Sequence, residues 1–488
     1  MHNISDYFFE KKIWVFITCI LFLIILAFAH SIRCNFLYAI KEHQINNQSI
    51  LLNRDSKDYY HLGLSKKFPC FSSYRDPFII IVSHSILNLF GNIENPTGEN
   101  NVKNNELLRY TSIIINLCAL TMFFIFTTLA VNKKVALIAS FLWSSNIFSI
   151  KYSVAFLRVD LVHFFTFLLL TLILLLLRFK MSPSKNTIKR SNQRDIQTPD
   201  NIFTSIGLFS YIDYRLVAIY SLVIIAGACL ILTRMSMFLI FFILLLGYNI
   251  IQVIFKSWRK YDLYCTLTAF ILSLLIVLPY LVYNKQNTGA FFSSSNKHAR
   301  FWFNQEFAGE KGFYSREEVM QNPYIGKDIS VFEYILLNHS IPEVATRFIK
   351  GYYLAFTHYL KRLYQFILPF GFLPPGINLL LYLLSILGIF LCITPFSKEN
   401  LLILFGSLIF IFPFVFILPL NTVISPYPLA TGVELRFTMP LLPFAFIYTA
   451  KSIDFIYTKI IDLRFKYSKK KIQKEPLEKS QKKDFNHA

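Results

Sequence analysis

Ten apolar stretches, each about as long as a helix that crosses a bilayer, dominate this chain. A span needs ~20 apolar residues to cover ~30 Å of hydrocarbon, and the stretches lie at 14–30, 110–131, 135–150, 161–178, 216–232, 236–255, 263–283, 376–396, 401–420 and 437–457. Hydrophobic residues make up 55% of the chain and charged residues only 16%, which is too apolar for an ordinary soluble domain. The sequence therefore predicts an all-α, polytopic transmembrane bundle of about ten spans.

Basic residues in the short connections indicate how the spans are oriented. Lys133 and Lys134, the segments 178–194 and 256–260, Lys398 and the C-terminal tail alternate so that they all fall on one side. The positive-inside rule makes that side the cytoplasm, with both termini there. The first span has no small-residue cleavage site after it, so we expect it to remain as an anchor.

The opposite face receives three outer loops, at 31–109, 284–375 and 421–436. We expect one domain over residues 1–460 that includes these loops, followed by a basic, disordered cytoplasmic tail at 461–488. Two pieces of the loops, 77–90 and 344–370, mix apolar runs with His, Lys or Arg and are predicted to be interfacial amphipathic helices. If the second piece crosses the membrane, the sidedness of everything after it is inverted.

The formal net charge of +21 does not indicate a nucleic-acid partner. Its basic residues gather between and after apolar runs, rather than along a stripe that would follow a phosphate backbone, and this is typical of membrane topology. The seven cysteines lie singly, without the spacing of a metal site. Neither a disulfide framework nor a structural metal is indicated.

Two carboxylates follow the first span. Asp55 and Asp58 are three residues apart and share a face if their segment is helical. This spacing suits a paired acid/base or anchoring site at the membrane surface. The alternative is a helix cap or a solvated turn, because Asp and Ser favour helix starts.

The outer ends of the later spans carry charged residues. These are Arg158 and Asp160 at the fourth span, Arg234 between the fifth and sixth, Lys297 after the seventh, and Glu434 and Arg436 before the last. Arg436 precedes two prolines, at 440 and 443, that kink a span or free its carbonyl groups. Its planar guanidinium suits a phosphate or pyrophosphate. For each cation, an anchor at the membrane interface is the alternative.

Taken in order, these segments resemble the GT-C superfamily of membrane glycosyltransferases, in particular bacterial members related to protein O-mannosyltransferases and to the lipid A aminoarabinose transferase. The matching motifs run from about residue 10 to residue 460 and comprise 55–64, 75–91, 158–160, 233–234 and 434–443. Two residues depart from the family pattern. Gly63 stands where Ala is usual, and Asp76 replaces a more typical apolar residue or Pro.

The resemblance implies an inverting transferase that moves a hexose or pentose from a polyprenyl-phosphate donor to a lipid, glycan or protein acceptor. Its site would face outward from a bacterial cytoplasmic (inner) membrane. Asp55 would be the catalytic base, and Asp58 would orient the acceptor or an ion. Arg436, helped by Arg234 or Lys297, would bind the donor phosphate, and the supporting residues would be Arg75, Arg158, Asp160 and Glu434. No cofactor is implied with certainty, and a divalent cation is left open.

Two other functions use similar features. A transporter or flippase of lipid-linked saccharides also needs a cavity and cations for a phosphate, but commonly shows internal repeats, and none is evident here. A polysaccharide polymerase or ligase commonly has a large outer loop late in the chain, and the early acidic loop favours the transferase over it. A purely structural membrane protein would not need carboxylates and arginines gathered on one face.

Overall fold

The computed structural model is predominantly helical. It describes residues 4–46, 54–64, 75–92, 98–156, 158–179, 214–368, 371–394, 396–419 and 437–484. For residues 4–12, 41–46, 54–56, 98–99, 179 and 467–484 it describes the backbone alone.

Within these ranges, nine helices contain a stretch long and apolar enough to cross a membrane. They are α1 (Ile4–Asn46), α4 (Gly98–Ala130), α7 (Val159–Phe179), α8 (Tyr214–Thr233), α9 (Met237–Ile254), α10 (Lys260–Thr288), α15 (Pro375–Ile393), α16 (Lys398–Val415) and α17 (Leu442–Asp484). This confirms the predicted fold class, a polytopic helical membrane bundle.

Shorter elements lie between the long helices. They are α2 (Arg54–Gly63), α3 (Pro77–Phe90), α5 (Lys133–Ser145), α6 (Ile147–Ser153), α11 (Ser293–Phe307), α12 (Arg316–Gln321), α13 (Ile341–Leu354) and α14 (Leu360–Leu363), with π-helical turns at Glu333–Leu337 and Ala355–Tyr359 and a 3₁₀ turn at Met439–Leu441. The strands β1 (Ile367–Leu368) and β2 (Gly371–Phe372) form a short antiparallel hairpin, in which Ile367 pairs with Phe372.

The predicted third span is broken, which corrects the expectation of one continuous helix over 135–150. Asn146 separates α5 from α6, and 13 residues of α5 reach only ~20 Å. The chain nevertheless returns across the bundle here, because α4 and α7 run in the same direction. Asn116 of α4 bonds to Asp160 near the start of α7, and Leu129 near the end of α4 accepts from Arg178 near the end of α7. The α5–α6 pair therefore makes the crossing in two pieces.

The Asn146 side chain replaces the hydrogen bonds lost at this break. Its Nδ2 donates to the carbonyl oxygens of Leu363 (2.7 Å) and Gln365 (3.0 Å). Its Oδ1 accepts from the backbone N–H groups of Phe148 and Ser149, both at 3.1 Å, and so caps α6. The end of the second outer loop is thereby held in the gap of the span.

Replacing Asn146 with Ala is expected to destabilise the protein by about 2–4 kcal/mol, because a cap is lost and buried carbonyl groups lose their donor. The side chain is fully buried, so water cannot replace these bonds. Unfolding in a denaturing detergent titration measures the change. Asn322→Ala, at the exposed end of α12, is the matched control, and an equal loss in both variants would contradict the role of Asn146.

The helix ends form two groups at opposite ends of the bundle. One end holds the predicted cytoplasmic connections, which bond to each other through Asn132 and Asp454 (3.1 Å), Lys398 and Ser257 (2.8 Å), and Arg178 and Glu399 (3.5 Å). We call this the basic end. The described parts of the first two predicted outer loops lie together at the other end, as the alternation of basic connections predicts.

Aromatic rings fill the centre of the bundle. Phe123 of α4 lies 4.8 Å from Trp143 of α5 and 5.0 Å from Phe167 of α7, between ring centroids, and Phe167 lies 5.4 Å from Phe444 of α17. Edge-to-face pairs of this kind add to the dispersion energy that holds membrane helices together. The broken span is thus fixed to its neighbours between Asn146 and the basic end.

The C-terminal segment and the second interfacial helix differ from expectation. The backbone of α17 is helical as far as Asp484, past residue 461, where the sequence predicts that the tail begins. The helix predicted at 344–370 starts at Ile341 and ends at Leu363, where the hairpin follows. It packs beside α16, and Gly351 approaches so closely that a Cβ atom there would lie 1.9 Å from the Val415 carbonyl oxygen.

Candidate active site

Arg75 and Asp76 are adjacent in the first outer loop, but their side chains contact different segments of the protein. The Arg75 guanidinium forms an ion pair with Asp58 of α2, with Nε 3.1 Å from Oδ2 and Nη2 bonded to the same oxygen. The Arg75 carbonyl oxygen accepts from the hydroxyl of Tyr280 in α10 (3.2 Å). Arg75, predicted only as a supporting residue, therefore anchors the helix that carries both predicted carboxylates.

Asp76 is buried at the start of α3 and makes the second set of contacts. It forms an ion pair with Arg158 and accepts from the backbone N–H of Met235 (3.2 Å) and the hydroxyl of Ser294 (3.4 Å). These partners belong to the entrance of α7, the α8–α9 hairpin and α11. Asp76 thus joins three outer segments that are far apart in the chain. We refer to Arg75 and Asp76 with Asp58 and Arg158 as the charge hub.

Asp76 is the site residue that the sequence interpretation missed. It appeared only as a departure from the family pattern, although an Asp next to an Arg and before an N-terminal helix Pro was a visible signal. The structure also explains the other departure. A Cβ atom on Gly63 would lie 2.2 Å from Oγ of Ser83 in α3, so α2 and α3 approach too closely for Ala.

Arg158 and Asp160, the two charged residues at the start of the fourth span, have different partners. Asp160 points to another partner, and its Oδ1 accepts from Nδ2 of Asn116 (2.7 Å). Arg33 of α1, fully buried, lies close enough to interact electrostatically with Asp160 and donates to the Ser144 carbonyl oxygen (3.3 Å). Arg33 was also missed. It lies at the start of the predicted first outer loop, three residues after the apolar run at 14–30.

Arg234 and Lys297 lie at the same end of the bundle as the hub. The Arg234 guanidinium carbon lies 4.1 Å from the ring centroid of Phe414 and 5.9 Å from that of Phe437. Lys297 is on α11, one turn after Ser294. The same helix places Trp302 against Phe437, with 5.8 Å between ring centroids. Helix α11 therefore extends from Asp76 to the residue that directly follows Arg436.

Three predicted site residues fall where side chains are not described. Asp55 lies in the first turn of α2, one turn before Asp58, but its side chain is outside the described residues. Glu434 and Arg436 lie outside them as well. Within the described part of the chain no three His, Cys, Asp or Glu side chains form a group that would hold a metal ion.

A second polar cluster organises the large outer loop. Glu306 of α11 accepts from Tyr334 (2.8 Å to Oε2), while Oε1 lies 3.0 Å from Nε2 of His339 and is bonded to Arg347. Burial alone would raise the pKa of the Glu306 carboxyl, but the bonds from Arg347, His339 and Tyr334 outweigh it and hold the pKa below its usual value. The carboxylate form of Glu306 therefore stabilises the loop.

Because the folded loop needs the Glu306 carboxylate, we expect acid to lower its stability. A carboxyl whose pKa is lowered by folding stabilises the protein above its unfolded pKa, here 4.5, and loses that contribution as the pH falls through the lower folded value. We expect Glu306→Gln to be less stable than the natural protein at pH 7, with the difference shrinking below about pH 4.5. Thermal unfolding across pH 7 to 3.5 measures it. Glu310→Gln, exposed and outside the cluster, is the control, and a pH-independent difference would contradict the prediction.

The overall arrangement of the bundle is similar to that of two solved structures. One is the archaeal oligosaccharyltransferase AglB from Archaeoglobus fulgidus, in complex with an inhibitory peptide and a dolichol-phosphate, with a TM-score of 0.50 and 15% identity over 93% of this chain and 51% of that one. The apo form of the oligosaccharyltransferase from the same organism gives 0.47 and 15%, over 91% and 51%. The chain spans about half the length of these structures.

No protein-family model and no curated protein matches the sequence. The likeness to AglB therefore concerns the fold. The chain therefore has a fold similar to that of about half of the AglB chain.

Proposed function

We propose that this protein is a glycosyltransferase that moves a sugar from a polyprenyl-phosphate donor to a lipid, glycan or protein acceptor at the outer face of the membrane, with inversion at the anomeric carbon. The observation that supports this most is the charge hub. It gathers the first outer loop, the entrance of α7, the α8–α9 hairpin and α11 at one end of a GT-C type bundle. AglB, the solved structure of similar fold, is in complex with a dolichol-phosphate.

The donor phosphate is assigned to the cations around Phe437. Arg436 directly precedes this residue, and the Arg234 guanidinium lies near its ring, so two arginines are present where the last outer loop enters α17. The cation–π contact with Phe414 holds the Arg234 guanidinium at this position. Two planar donors at the membrane surface suit a lipid phosphate, whose tail remains in the hydrocarbon.

Asp55 is assigned as the catalytic base. The acceptor hydroxyl oxygen would bond to the anomeric carbon as the bond from that carbon to the phosphate oxygen breaks, and the hydroxyl proton would pass to the Asp55 carboxylate. An Asp with an ordinary pKa of ~3.9 is ionised at neutral pH and accepts the proton late in a concerted step. The departing lipid phosphate would keep its electron pair and be stabilised by Arg436 and Arg234.

Asp58 suits a positioning role better than catalysis. Its carboxylate is held by two nitrogen atoms of Arg75, a charge-assisted pair that fixes the position of the side chain. Asp58 would then hold α2 on the hub so that Asp55, one turn earlier, is presented to the acceptor.

Arg436→Lys tests the phosphate assignment. Lys keeps the charge but loses the bidentate fork, so we expect kcat/KM for the donor to fall about tenfold or more, equivalent to ~1.4 kcal/mol. Purified protein in nanodiscs is assayed with a panel of polyprenyl-phosphate hexoses and pentoses. Arg464→Lys, exposed toward the basic end, is the matched control. A fully active Arg436→Lys variant would make Arg436 an interface anchor, and no transfer from any donor by the natural protein would contradict the transferase itself.

A further inference from the structure

A cavity of about 270 Å³ lies at the outer end of α15, formed by elements that do not build the charge hub. It opens between α14, the β1–β2 hairpin and the first turn of α15. Its lining includes Lys361, Gln365, Phe366, Phe372, Asn378 and Leu379. Nothing in the proposed transfer reaction uses these residues.

The cavity is next to the first turn of a helix that is long and apolar enough to cross a membrane. Helix α15 is an apolar span that begins at Pro375, so its first turn marks the height at which the membrane starts. Phe372 at the hairpin is 72% exposed and Leu379 is 42% exposed. A cavity with such an apolar rim at the start of a span opens sideways toward lipid rather than toward water alone.

The polar side of the cavity is basic and has no carboxylate. Lys361 and Gln365 are both exposed, and neither side chain has a hydrogen-bond or ion-pair partner in the described part of the chain. The sequence contains no Asp or Glu between Glu343 and Glu399, on either side of the cavity. An ammonium and an amide N–H₂ are thus available to an anion.

We propose that this cavity binds the phosphate of an anionic phospholipid of the outer leaflet. Lys361 and Gln365 would donate to the phosphate oxygens, while Phe372 and Leu379 contact the first carbons of the lipid chains. The volume suits a phosphoglycerol head group. A bound lipid would brace the Leu363–Gln365 segment, which Asn146 holds in the gap of the broken span.

Native mass spectrometry of the full-length, delipidated protein tests this, with phosphatidylglycerol, phosphatidylcholine and polyprenyl phosphate of comparable chain length as probes. We expect saturable binding of phosphatidylglycerol in preference to phosphatidylcholine, weakened about fivefold in Lys361→Gln, the effect of one interfacial Lys. Lys350→Gln is the matched control, because Lys350 is exposed on the same helical segment ~16 Å from Lys361 and does not line the cavity. Gln365→Leu should weaken phosphatidylglycerol binding as well.

Three outcomes would overturn the proposal. Equal losses in Lys361→Gln and Lys350→Gln would make Lys361 one of several general surface cations. Equal binding of phosphatidylglycerol and phosphatidylcholine would remove the requirement for an anion. Preferential binding of polyprenyl phosphate, lost in Lys361→Gln, would assign the cavity to the sugar carrier. None of these readouts depends on sugar transfer, so the lipid site and the transferase activity can fail separately.

Discussion

Asp55→Asn is expected to reduce sugar transfer by about 10² to 10⁴, the usual loss when a general base is removed, while the protein still inserts and folds. Asn keeps the shape of the side chain but has no carboxylate to accept the acceptor's proton. If Asp55 were only an acidic residue in the first turn of α2, its loss would cost ~1 kcal/mol of stability and leave the folded protein active. The two interpretations therefore predict different turnover.

The decisive measurement is the rate of transfer from a polyprenyl-phosphate sugar, normalised to folded protein. Asp58→Asn is the matched variant, because it makes the same change one turn away, on a carboxylate already paired with Arg75. We expect it to lose less activity than Asp55→Asn and to lose stability, since Arg75 would lose its ionic partner. Full activity of Asp55→Asn would exclude Asp55 as the base, and an inactive Asp58→Asn beside it would reassign the base to Asp58.

Replacing Arg158 with Met is expected to destabilise the folded protein by about 3–5 kcal/mol, the usual cost of removing one partner of a buried ion pair. Asp76 is 1% exposed. Without Arg158, the donors that its carboxylate keeps among the described residues are the Met235 N–H and the Ser294 hydroxyl. The outer segments joined at Asp76 should then separate more easily, and sugar transfer should fall with them.

A double-mutant cycle separates the loss of the pair from the loss of packing. Asp76→Asn combined with Arg158→Met removes both charges, and we expect the double variant to be less destabilised than the sum of the single changes. The free energy of unfolding is measured by denaturing detergent titration for the natural protein, the two single variants and the double variant. Arg464→Met, an exposed Arg at the other end of the bundle, controls for the substitution itself. Additive losses would mean that the two side chains do not depend on each other.

The amino-acid sequence by itself determined the class of the protein. Apolar length is a local property, and a bilayer requires backbone hydrogen bonds within each span, so each predicted run except that at 135–150 corresponds to one long helix. The basic connections also predicted which helix ends lie together, because the charge of each short connection is visible in its own sequence. The helix at 77–90 was predictable for the same local reason, with Pro77 at its first position and Gly91 at its cap.

The tertiary structure alone showed which charged residues of the candidate site pair with each other. Asp76 and Arg158 are far apart in the sequence, and neither has a local pattern that reveals the other. The break at Asn146 depends on carbonyl groups supplied by Leu363 and Gln365 from another loop, so the apolar run around it still reads as one helix. The need for glycine at position 63 also depends on a distant segment, because Ser83 of α3 lies where the methyl group of Ala would be. Neighbouring residues determine apolar length and helix caps. Ion pairs and close helix contacts form only when segments distant in the sequence pack together.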